Sequence, residues 1–134
     1  MTNGQADTPK VGHVLRYVYL FTHEASAGRD EGIKERFVIV AGVTGARYRV
    51  VAVTTKGEGR AGIIALPPPV AAAAGLAPDS AVVVSEYNAF TWPGFDIRPL
   101  LDRPGYIVGR LPPGFTNKII DELLTRKATH VERG

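Results

Sequence analysis

The chain has 134 residues, 45% hydrophobic and 22% charged, with a net charge of +3, which fits one globular domain and excludes a disordered chain. It contains no cysteine, so disulfides, thiolate zinc sites and cysteine nucleophiles are excluded. The small basic excess attracts polyanions weakly, but Arg29, Lys34, Arg36, Arg47, Arg49, Lys56 and Arg60 are interspersed with acids, as on any solvated surface.

Residues 1–10 are polar, and 1–11 read as a flexible N-terminal segment. They lack the apolar core of a signal peptide, and no later run is long and apolar enough to cross a bilayer, so a cytoplasmic protein with no membrane contact is expected. Residues 13–21 alternate as a strand, with Leu15, Tyr17, Tyr19 and Phe21 on one face. A polar stretch from Thr22 to Glu35 follows; its length suits either a substrate-side loop or a tolerated insertion. Strands are expected over 37–43 and 47–54, joined by a turn at Thr44-Gly45-Ala46. A short strand over 62–66 is stopped by Pro67-Pro68-Pro69, and residues 70–74 suit one helical turn ending at Gly75. Two more strands are expected over 81–87 and 106–111. Six short strands with tight connections predict a mainly β fold, a small barrel with peripheral helices. The chain closes with a helix over 117–127, N-capped by Thr116 with a Phe115/Ile120 staple. Residues 128–134 then form a flexible C-terminal tail. The domain proper is expected to span 12–127.

No P-loop, HExxH, GxSxG or paired-histidine spacing is present, and no metal or cofactor is called for. His13 and His130 fall on a strand edge and in the tail, and His23 in the polar stretch. The segment from Tyr87 to Pro93 is rich in aromatics. Phe90 and Trp92 suit stacking on unpaired bases, anchoring a partner, or covering one end of the core.

Three motifs in order carry a family resemblance. Gly12-His13-Val14-Leu15 looks like the opening of MazF/PemK toxins, Lys34-Glu35-Arg36-Phe37-Val38-Ile39-Val40 is similar to their K-x-R-P-V-x-V strand, and Val53-Thr54-Thr55 resembles their I-T-[ST] strand end. The resemblance implies an SH3-like barrel, a homodimer, and a metal-independent endoribonuclease that cuts single-stranded RNA, inhibits growth and is neutralised by an antitoxin. By position it makes Arg36 and Thr54 catalytic, with Glu86 and His23 as auxiliary candidates; Lys34, Thr55 and Lys56 beside them are RNA-binding candidates, and Trp92, in a segment outside the family pattern, joins them as an aromatic that could stack on a base. The residue types suit that chemistry, since a guanidinium binds phosphate oxygens in a fork while staying charged. A strand-opening arginine and a strand-ending threonine are equally ordinary edge residues. The sequence departs from the family at Phe37, where proline is usual, and at Val84, near a position that carries arginine. The alternatives are a non-catalytic barrel that binds RNA or protein and, further off, a gyrase-directed toxin like CcdB, whose tryptophan-containing C-terminal end this chain lacks.

Overall fold

A computed structural model describes residues 8–26, 34–55 and 62–134. Its elements are β1 (His13–Tyr19), α1 (Thr22–Ser26), β2 (Lys34–Thr44), β3 (Arg47–Thr55), β4 (Ile63–Ala65), α2 (Pro68–Ala73), β5 (Ser80–Val83), β6 (Glu86–Thr91), β7 (Ile97–Arg98), β8 (Ile107–Arg110), α3 (Pro113–Thr125) and β9 (Thr129–Glu132). The fold is mainly β, as the turn-rich alternation of the sequence requires.

The antiparallel β2–β3 hairpin is the spine, turning at Gly45, whose φ of +60° suits glycine. On its outer side β2 pairs with β1, and β1 carries β7 and β8. The free edge of β3 is shared in tandem, with Arg47–Val50 paired to β6 and Val53–Thr55 paired to β5. A bulge between Val40 and Gly42 bends the hairpin. There the Arg49 guanidinium lies so close over Gly42 that a Cβ would meet its Nε at 2.6 Å. The described strands curl round without closing into a hydrogen-bonded ring, so the expected barrel is an open one.

Because successive strand residues point to opposite faces, β2 feeds two cores. Val38 and Val40 pack with Leu15, Tyr17, Tyr48 and Phe90. Ile39 and Ala41 pack with Val51, Val82, Leu111 and Ile119, beneath α2 and α3.

Several expectations are corrected. The 81–87 run is two strands, broken at Val84-Ser85 where pairing passes from one part of β3 to the other. The last helix begins at Pro113, with Pro112 as its N-cap, since a first-turn proline forfeits no helical hydrogen bond. Thr116 therefore lies inside the helix, its hydroxyl donating to the Pro112 carbonyl at 3.1 Å, and Phe115 packs on the core from the first turn. The tail expected over 128–134 contains β9, parallel to β6. Its pairing is made by backbone groups and charges rather than apolar side chains. The Arg133 N–H donates to the Ala89 carbonyl at 2.7 Å, its guanidinium meets Asp96 at 2.6 Å, and Glu132 pairs with Arg47. Within the expected flexible segment 1–11, Pro9 is buried and its carbonyl accepts from the Tyr48 hydroxyl at 2.6 Å. The polar stretch after β1 opens as α1. Its middle, residues 27–33, lies outside the described residues, as does Lys56.

Candidate active site

The β2–β3 register pairs Val38 with Ala52, and two residues further along each strand stand Arg36 and Thr54. Both line one open cleft of about 330 Å³, with Thr55, Glu35, Phe37, Val53, Ala77 and Ser80. The hairpin thus brings together two residues eighteen apart in sequence, within the size range of ligand sites. The Thr54 hydroxyl donates to the Thr55 carbonyl at 3.2 Å.

Arg36 is half-buried, and its guanidinium sits over the Phe21 ring, 4.8 Å from the centroid. The ring's quadrupole attracts the cation, and among the described residues no hydrogen bond engages its N–H groups. The same ring stacks on His23 at 5.6 Å and meets Tyr19 edge-on at 4.8 Å. His23 is exposed on α1, so Phe21 links the imidazole and the guanidinium.

Glu86 is 8% exposed and occupied on both oxygens. Oε2 accepts from the Thr22 N–H at 3.0 Å and the Tyr19 hydroxyl at 3.2 Å, and Oε1 accepts from the Thr22 hydroxyl at 3.0 Å. A carboxylate at the first N–H of α1 complements orphan donors at that helix end. Burial, with the Glu86 carboxylate beside it, holds the Tyr19 hydroxyl far above the ordinary tyrosine range, so it stays a neutral donor. Two residues along, Asn88 is fully buried and clamps Leu20, accepting from its N–H at 2.9 Å and donating to its carbonyl at 2.7 Å. Glu86 and Asn88 together set where the chain leaves β1, hence where Phe21 and His23 stand.

The other candidates fall elsewhere. Lys34 opens β2 opposite Tyr19. Trp92 stands at the far end of β3, its N–H donating to the Ala46 carbonyl at 2.8 Å, packed against Tyr48, Phe90 and Tyr106. It covers one end of the aromatic core, the third of the roles open to it from sequence. Val84, near the family's arginine position, is fully buried in the core under α2 and α3. Sequence reasoning missed Phe21 and Asn88 as site-builders. The period-two face of β1 pointed to Phe21, but only the pairing of β6 shows what a lone asparagine in that strand clamps.

Among the described residues, no group of three or more histidine, aspartate or glutamate side chains is placed to hold a metal ion, and no helix is long and apolar enough to cross a membrane. The site is an open cleft lined by one arginine, one glutamate and hydroxyl-bearing residues in an open, mainly β fold, with an aromatic ring against its arginine. No protein-family model and no curated protein matches the chain. Among solved structures it is similar to an endoribonuclease in complex with its cognate antitoxin from Mycobacterial species, at 18% identity and a TM-score of 0.57, over 90% of this chain and 95% of that one. The shared architecture runs almost end to end, so the chain has the fold of that endoribonuclease.

Proposed function

We propose that this chain is a toxin-like endoribonuclease that cuts single-stranded RNA without a metal, inhibits growth, and is neutralised by an antitoxin. The observation that carries the reading is the cleft where Arg36 and Thr54 converge, in a fold shared with an endoribonuclease. A homodimer and a cytoplasmic location belong to the same reading.

Attack of a ribose 2′ oxygen on the adjacent phosphorus makes one P–O bond and breaks the bond to the 5′ oxygen. The 2′ proton must leave, and the departing oxygen must gain one. Arg36 offers permanently charged, forked N–H donors to the oxygens whose charge grows in the transition state. Thr54 orients the phosphate or the attacking hydroxyl through its side-chain oxygen. His23, stacked on the same Phe21 ring, is the group of the right type to move protons. Glu86 acts as a positioning residue, through Thr22 and Tyr19. Thr55, which lines the same cleft, is read as a further phosphate contact, and Lys34 and Lys56 are read so on the resemblance alone.

A second reading, a non-catalytic barrel that binds RNA or protein, is favoured by one observation: the fully buried Val84 near the family's arginine position. The test is incubation of a mixed-sequence single-stranded RNA with the protein in chelator. Discrete cuts that vanish with Arg36→Ala, and with deoxyribose at the cut site, are the expected result. Intact RNA that the folded protein nevertheless shifts on a native gel would move the assignment to the binding module.

A further inference from the structure

Phe37 points to the opposite face of β2 from Arg36 and is 40% exposed, an unusual setting for a phenylalanine in the middle of a paired strand. It lines the Arg36/Thr54 cleft and also a second, adjoining cleft of about 460 Å³. The second cleft is walled by Arg16, Gly75, Leu101, Arg103 and Val108 among others. Arg16 is the cross-strand partner of Phe37, its guanidinium held by Glu35 Oε2 at 2.5 Å and by the Pro99 carbonyl. Arg103 is held in turn by Asp102 at 3.0 Å and by the Val108 carbonyl at 3.0 Å. Leu101, 88% exposed, adds a further apolar wall.

We propose that this second cleft is a specificity subsite for one unpaired nucleobase next to the scissile phosphate, with Phe37 as its stacking platform. The inference rests on the ribonuclease reading and deepens it. Phe37 is common to the linings of both clefts and directly follows Arg36 in the chain, so the two clefts adjoin at one strand position and one RNA strand can reach from the first into the second. Two anchored guanidinium groups beside the ring suit a polyanion carrying a π-face better than an aliphatic or acidic ligand. Glu35 and Asp102, being tied to those arginines, offset part of their charge and leave the ring as the main source of affinity.

The experiment uses fluorescently labelled single-stranded oligonucleotides with 2′-O-methyl riboses, which cannot be cut by 2′-OH attack, so binding is read separately from cleavage. Anisotropy is measured for wild type, Phe37→Ala, Phe37→Leu and Phe37→Trp, each checked for an intact thermal transition. Phe37→Ala and Phe37→Leu should bind about tenfold more weakly, roughly 1.4 kcal/mol, while Phe37→Trp stays near wild type. On cleavable RNA the loss should fall on KM more than on kcat, with relaxed base preference at one position beside the cut. Wild-type affinity and an unchanged cut pattern in Phe37→Ala would overturn the subsite while leaving the ribonuclease standing. If wild type cuts nothing but binds, the ribonuclease reading fails alone, and the Phe37 series still decides the subsite. Absence of wild-type binding overturns it. Unchanged RNA binding with loss of self-association in sedimentation would assign the cleft to a protein contact instead.

Discussion

Replacing Asn88 with alanine removes both hydrogen bonds that hold Leu20, whose backbone belongs to a residue only 2% exposed. The Leu20 N–H and carbonyl would then be left unpaired away from water. At about 1–3 kcal/mol for each buried group, the loss comes to roughly 2–6 kcal/mol. A chain of 134 residues has a total stability of roughly 7–20 kcal/mol, so a sizeable fraction is at stake. Urea unfolding followed by far-UV circular dichroism should show a lower midpoint with little change in slope. Asn88→Asp sharpens the test. A carboxylate facing the Leu20 carbonyl cannot donate to it, and burial disfavours its charge, so its folded-state pKa lies above the unfolded value of about 3.9. The folded variant therefore binds more protons in that window and gains stability relative to Asn88→Ala as pH falls through it, because the protonated acid can again donate. A loss below about 1 kcal/mol in Asn88→Ala, or no relative gain for Asn88→Asp in acid, would refute the clamp.

Two further outcomes follow from the same geometry. Glu86→Ala removes the acceptor of the Thr22 N–H and of the Tyr19 hydroxyl; stability should fall by about 1–3 kcal/mol, and RNA cleavage should weaken without change in the shape of its pH profile. Disappearance of one limb of that profile would instead make Glu86 a proton carrier. His13 is held below the ordinary histidine range by burial and by Arg110 and Lys10, and its Nδ1 accepts the Lys10 N–H at 2.8 Å, which requires the neutral ring. The unfolded state binds the extra proton below about pH 6.5, so stability should fall as pH drops through that value, and His13→Gln should flatten the decline in the melting temperature.

The β2–β3 hairpin was legible in the sequence because alternation and the Thr44-Gly45-Ala46 turn agree, and the convergence of Arg36 with Thr54 follows from its register. What escaped was set by partners. The break at Val84-Ser85 has no local turn signal, and it arises because β5 and β6 divide one edge of β3. β9 has Val131 as its one apolar residue, so periodicity gave no hint of a strand held by backbone pairing and the Arg133–Asp96 and Arg47–Glu132 ion pairs. Trp92 was grouped with the RNA-binding candidates by composition, although β6 carries it away from Thr54. The helix start lies at Pro113 rather than after Thr116, because a first-turn proline forfeits no helical hydrogen bond while Thr116 only resembles a cap by residue type.

The position of Trp92 has a spectroscopic consequence. It is the chain's single tryptophan, and it stands beside Ala46, about 26 Å of strand from Thr54. Intrinsic emission therefore reports on the integrity of the aromatic core while staying blind to what enters the cleft. Pairing Trp92→Phe with Phe37→Trp would move the only indole to the boundary between the two clefts, where quenching by a stacked base becomes a direct optical signal of occupancy.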